Sequence, residues 1–169
     1  MKKKLLSALL SIASTLFLIA CDSDSPSQPN TKGNTTSLSG SIDLNEIPQS
    51  CTVQTNSDTV FIDLAFQKWT WDVVYIIEGH RVLSIQTFTG LDESFINDLC
   101  NRTNTALNSQ IGKTLQTARA SCNGNVMTEE YVMNESLPTI SPVEYANSMS
   151  SMCQQLLRGD ITMKDNFFP

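Results

Sequence analysis

The stretch Trp69-Thr70-Trp71-Asp72-Val73-Val74-Tyr75-Ile76-Ile77 decides the fold. Trp69, Trp71, Val73, Tyr75 and Ile77 fall on one face at a period of two, and the run is rich in aromatic and β-branched residues. That pattern predicts a half-buried strand. Upstream, Thr59 to Phe66 repeats it, with Val60, Ile62, Leu64 and Phe66 on one face and Asp63 and Gln67 on the other. Downstream, Val82 to Phe88 reads as a third strand with Leu83 and Ile85 on one face. Gly79-His80 supplies the turn between the second and third strands. A two-residue loop pairs Ile77 with Val82 and sends Leu83 to the face opposite Tyr75. A three-residue loop aligns the two apolar stripes, and it is the expected one if register follows the buried face.

Beyond the strands the period changes. Asp92 is placed to cap a helix, with Leu91 and Ile96 as a hydrophobic staple around it. Phe95, Leu99, Leu107, Ile111, Leu115, Ala118 and Cys122 then recur at helical spacing, with the polar run Asn101 to Thr105 as the place for a kink. Asn123-Gly124-Asn125 is read as its end. Val126 to Met133 is a fourth, more polar strand, and Leu137-Pro138 opens a turn. Ser141, Pro142 and Glu144 form a capping box with proline at the first helical position, and Ile140 and Tyr145 staple it. Tyr145, Met149, Met152 and Leu156 make the apolar stripe of this last helix, which Gly159 closes. The expected architecture over residues 42–169 is a single α+β domain. It has an antiparallel sheet of three to four strands with two helices packed on one face, in the order β-β-β-α-β-α, and is disulfide-linked.

The start of the chain has a different character. Lys2, Lys3 and Lys4 precede an apolar run from Leu5 to Ile19, interrupted by Ser7, Ser11, Ser14 and Thr15 and followed by the small Ala20. That is the anatomy of a signal peptide over residues 1–20. The run falls short of the roughly 20 predominantly apolar residues that a spanning helix needs, and Asp22-Ser23-Asp24-Ser25 follows at once. Leu18-Ile19-Ala20-Cys21 resembles the lipobox of bacterial lipoproteins. The resemblance covers residues 1–21 and implies cleavage between Ala20 and Cys21, diacylglycerol on the Cys21 sulfur, and acylation of the new amino terminus. Two or more chains anchor stably where one holds only marginally. The same resemblance implies a partner, the lipid bilayer reached through acylated Cys21, and a periplasm-facing place in the cell envelope. Asp22 shifts that expectation slightly toward the inner membrane over the outer. Residues 21–41 carry Pro26, Pro29, Gly33 and Gly40 among Ser, Asn and Thr, and are expected to be a lipidated, disordered tether. The triplets beginning at Asn34, Asn101 and Asn134 match a glycosylation acceptor but carry no weight in a bacterial export context.

The formal charge is −6, and loss of Lys2, Lys3 and Lys4 with the signal peptide takes it to −9. An acidic chain without a basic cluster argues against nucleic acid and against docking on anionic lipid. Of five cysteines, lipidation of Cys21 leaves Cys51, Cys100, Cys122 and Cys153, an even set suited to disulfides in an exported protein. Reading residues 92–122 as one helix separates Cys100 from Cys122 by about 33 Å. Alternating the element directions then places Cys51 near Cys122 and Cys100 near Cys153, the two pairings expected. With no Cys-x-x-Cys and a single histidine, neither a metal site nor a haem or other cofactor is expected.

Catalytic patterns are not found: there is no nucleophile elbow, zinc-protease helix, phosphate loop or dinucleotide fingerprint. His80 is expected on a solvated turn beside Arg81. Asp58, Asp63 and Asp72 read as strand-edge solvation in preference to a carboxylate pair. Asp43, Asn45 and Glu46 lack the spacing of a calcium loop. Trp69, Trp71 and Tyr75 are expected in the core, with an aromatic binding face as the alternative. These readings predict a membrane-anchored envelope lipoprotein acting as a non-catalytic binding or assembly module, with an envelope protein as its partner. The alternative is a hydrolase acting on envelope polymers.

Overall fold

The computed structural model describes residues 42–166. Its centre is one antiparallel sheet of six strands, in the spatial order β1-β2-β3-β4-β6-β5. The strands are β1 (Ser50–Asn56), β2 (Thr59–Ala65), β3 (Thr70–Glu78), β4 (Arg81–Thr89), β5 (Leu115–Asn123) and β6 (Val126–Met133). The helices are α1 (Glu93–Gln110), α2 (Pro142–Arg158) and the short α3 (Met163–Asn166). This corrects the expected sheet of three to four strands and its β-β-β-α-β-α order. Two strands, β1 and β5, were unforeseen.

The strand β5 occupies the second half of the expected long helix. That helix ends at Gln110, and Gly112 at φ 80° turns the chain back. The misreading has a physical cause. Ala118 and Cys122 are four residues apart, a spacing that keeps one face in either period. Leu115 and Ala118 are three apart, which should put them on opposite faces of a strand. A register shift between Leu115 and Thr117 restores them to one side. Asn123-Gly124-Asn125 is then a hairpin turn, with Asn123 paired to Val126 and Gly124 at φ 60°, in place of a helix end.

Both helices lie on the same face of the sheet, α2 over β1 and β2, α1 over β5. One disulfide fastens each helix to an edge strand. Cys51 of β1 bonds Cys153 of α2, and Cys100 of α1 bonds Cys122 of β5. The expected pairs Cys51–Cys122 and Cys100–Cys153 are therefore corrected. Once the chain reverses at Gly112, β5 runs back beneath α1 and brings Cys122 under Cys100. The exposed edge of β5 is also satisfied from above, where the Ala120 N–H donates to Asn104 Oδ1 at 3.1 Å.

The inner face carries the core. Val60, Ile62, Leu64, Trp71, Val73, Ile77, Val82 and Phe88 are buried there with Ile96 and Leu99 of α1 and Met149 and Leu156 of α2. Trp69 and Trp71 are both buried, Trp69 stacked on Phe66 at 3.9 Å between ring centroids. The start of α2 is as expected. The Ser141 side chain accepts from the Glu144 N–H, Pro142 opens the helix, and Gly159 ends it at φ 73°.

Candidate functional site

The β3–β4 hairpin decides what each face of the sheet presents. Glu78 pairs with Arg81 and Ile77 with Val82, so the loop has two residues, Gly79 and His80, and not the expected three. Gly79 at φ 63° provides the left-handed first position that such a tight loop requires. The consequence runs the length of β4. Val82, Ser84, Gln86 and Phe88 turn inward and are buried, while Leu83 and Ile85 turn outward.

The outer face is therefore apolar at its middle. Register places Phe61, Val74 and Ile85 in one cross-strand row and Ile76 and Leu83 side by side in the next. Val132 of β6 follows beyond Arg81. None of these six packs into either core cluster. Phe61 is 37% exposed. An antiparallel sheet with one solvated face ordinarily alternates apolar inside with polar outside. Here β3 and β4 are apolar on both faces, the composition of strands covered twice, yet both long helices sit on the inner side.

Charge is confined to opposite margins of that outer face. At one end Asp63 and Asp72 are directly opposed across β2 and β3, with Thr52 and Thr70 hydroxyls donating to them at 3.2 and 3.4 Å. Asp63 and Asp72 are thus cross-strand neighbours, each with its own threonine hydroxyl, and Asp58 lies apart from them in the β1–β2 turn. At the other end Glu130 accepts from both Arg81 and Arg119, at 2.6 and 2.7 Å. The two guanidiniums hold the Glu130 carboxyl below the usual range, and Glu130 raises Arg81 in return.

Comparison with protein-family models, curated proteins and solved structures finds no match. The functional reading therefore rests on the chain's own geometry.

The inner face holds a second unusual arrangement. In the row Val60–Tyr75–Ser84–Glu129–Ala120, a serine and a glutamate sit in the middle of the core face. Trp71 Nε1–H donates to Gln86 Oε1 at 3.0 Å. Gln86 Nε2 donates to Glu129 Oε1 at 2.6 Å and to Ser84 Oγ at 3.2 Å. Burial pushes the Glu129 carboxyl up to about 7, and the Gln86 amide partly offsets it. Tyr75 and Tyr145 meet edge to face at 5.0 Å. Burial, and after it the negative charge of Glu129, pushes Tyr75 up to about 12. Tyr131 and Tyr145 are raised as well, burial being the first cause in each. Sequence reasoning missed this cluster. Its one signal was the polar character of Val126 to Met133.

The remaining candidates are dispersed. His80 Nε2 lies 2.8 Å from the Leu137 carbonyl oxygen, tying the β3–β4 turn to the segment after β6, so His80 is part-buried and not simply solvated. Asp43 accepts from the Asn45 backbone and side chain, and Glu46 from the Gln67 N–H. Among the described residues no group of three or more His, Cys, Asp or Glu side chains could hold a metal ion. Also among them, no helix is long and apolar enough to cross a membrane. Ala20 and Cys21, with the whole of residues 1–41, lie outside the described residues.

Proposed function

We propose that this chain is a lipid-anchored envelope protein whose domain is a non-catalytic assembly module, binding an envelope protein through the outer face of its sheet. The observation that carries the reading is the apolar middle of that face, Phe61–Val74–Ile85 with Ile76–Leu83, on strands built for cover on both sides. Contiguous apolar surface of this kind marks interaction sites. The acidic margin at Asp63 and Asp72, and the acidic chain as a whole, favour a protein over an anionic bilayer as its occupant. Attachment to the membrane is assigned to Cys21, through the resemblance of Leu18-Ile19-Ala20-Cys21 to a lipobox.

The test uses the full chain in its own membrane. A photo-crosslinking residue at Phe61 or Ile85 should capture one discrete protein, and the same residue at the exposed Gln154 of α2 should not. Equal labelling from both faces would overturn the assembly reading. Cys21→Ala should abolish acylation and leave precursor or released protein; normal membrane retention of that variant would sink the anchor. The competing hydrolase reading has only Glu129 on its side, a carboxyl near neutrality. Gln86 donates to that carboxyl's Oε1, and His80 Nε2 faces the Leu137 backbone carbonyl and not an acid.

A further inference from the structure

The two edges of the sheet are finished differently. β5 has a register shift near Leu115, carries Arg119, and has its Ala120 N–H taken by Asn104 Oδ1. Shifts, charges and cover of this kind keep an edge from pairing with another chain. β1 has none of them. Ser50–Asn56 carries no charge and no proline, and all seven residues pair with β2 without a shift. Among the described residues, nothing is hydrogen-bonded to the main chain of β1 on its free side.

α2 adds an apolar flank beside this edge. Tyr145 turns one side of the helix toward Tyr75 of β3, and the Cys51 disulfide turns the Cys153 side toward β1. At helical spacing Val143, Ala146, Ser150 and Leu157 continue the Cys153 side. That flank has no charge, and at its ends Val143 and Leu157 are 55% and 42% exposed. Ile47, 53% exposed, lies against the end of the helix, where a Cβ on Gly159 would meet its Cδ1 at 2.9 Å. Exposed apolar side chains thus gather where the sheet is open.

We propose that β1 is the seam of a two-fold dimer of this chain, each β1 antiparallel to the other and centred on Val53. Thr52 then faces Gln54 of the second copy, and no like charges are opposed. The two-fold stands perpendicular to the sheet, so both α2 helices lie on one side and run antiparallel. Strands pair at about 4.8 Å, which brings helices seated between β1 and β2 to about 10 Å, the spacing of packed helices. Val143 of each copy meets Leu157 of the other, with the small Ser150 at the axis. The acidic first turn at Glu144 comes beside the basic last turn at Arg158, and the helix dipoles oppose. An extended peptide added to β1 would leave Val143 and Leu157 uncovered, whereas one rotation of the chain onto itself covers both. The two outer faces stay free and point the same way, so this contact is separate from the docking face.

The experiment uses the full chain. Sedimentation in detergent should show a dimer. In its own membrane, a photo-crosslinking residue at the exposed Gln54 should join two copies at Thr52, and one at the exposed Asn123 of β5 should not. Val143→Glu and Leu157→Lys each place a charge at an exposed position where it suits the helix end. Each should weaken the dimer at least about tenfold. The double variant sets these opposite charges against each other only across the antiparallel contact, and it should regain the dimer. A product between two copies from Gln154 belongs to this contact, and only capture of a different protein bears on the outer face. A chain that stays monomeric up to about 100 μM would overturn the proposal. So would Gln54 products that map away from Thr52, single variants as dimeric as the native chain, or a double variant no more dimeric than the singles.

Discussion

Cys100 of α1 and Cys122 of β5 are bonded to one another with Cα atoms 6.2 Å apart, and they close a loop of 22 residues. Cys51 and Cys153 close one of 102. In the chain-entropy account a short loop of this order contributes about 3 kcal/mol and a loop near 100 residues about 4.7 kcal/mol. Non-reducing peptide mapping should find these two pairs. Replacing Cys51 and Cys153 by serine should lower the urea midpoint more than replacing Cys100 and Cys122. The opposite order would mean that strain or residual structure outweighs loop entropy.

Glu129 makes stability depend on pH in a defined window. Its folded-state value, about 7, stands above the ordinary 4.5. A carboxyl raised on folding contributes fully below its unfolded value, and that contribution is lost as pH rises through the folded one. The domain should therefore weaken between about pH 5 and pH 7.5, by a few kcal/mol at most. Urea unfolding at a series of pH values should show this slope in the native chain. Glu129→Gln should remove it, and a slope of the same size in that variant would assign the effect to another group.

Neighbouring valines on β3 should respond in opposite ways. Val73 is 1% exposed and points into the core, while Val74 lies in the outer row with Phe61 and Ile85. Val73→Asp buries an unpaired charge and should unfold the domain. Val74→Asp should cost no more than about 1 kcal/mol and should abolish crosslinking from Phe61. Circular dichroism separates the first effect from the second. Crosslinking that survives Val74→Asp would remove the outer face as the docking surface.

Two glycines with positive φ differ in their surroundings. A Cβ on Gly124 (φ 60°) meets nothing within 4 Å, whereas on Gly90 (φ 84°) it would strike the Lys68 carbonyl oxygen of the β2–β3 connection. Both substitutions strain the backbone, by about 1 kcal/mol or more. Only Gly90→Ala must also displace a neighbouring main chain. Thermal unfolding should show Gly90→Ala as the more damaging of the two, and equal effects would mean that the Lys68 turn gives way freely.

Some of this structure follows from sequence alone. The alternation in β2, β3 and β4 survives because each strand buries one whole face, and a period of two has no helical counterpart over such runs. The start of α2 is legible because the Ser141 side chain accepts from the Glu144 N–H and Pro142 has no N–H to satisfy, with no help from the rest of the fold. Cys51, Cys100, Cys122 and Cys153 are equally legible as an even set for disulfides. Their pairing was decided only in three dimensions. It depends on Gly112 reversing the chain, and the residues after it repeat at spacings common to helix and strand until the register shift near Leu115 separates them. The two faces were likewise a tertiary decision. Leu83 and Ile85 are as apolar as Val82 and Phe88, so composition does not say which pair turns inward. The two-residue loop at Gly79-His80 does, because one residue more or fewer in a hairpin exchanges every side chain between core and surface. The tyrosines illustrate the same limit. Tyr75 and Tyr145 are far apart along the chain, and only the packing of α2 on the inner face of the sheet brings their rings to 5.0 Å.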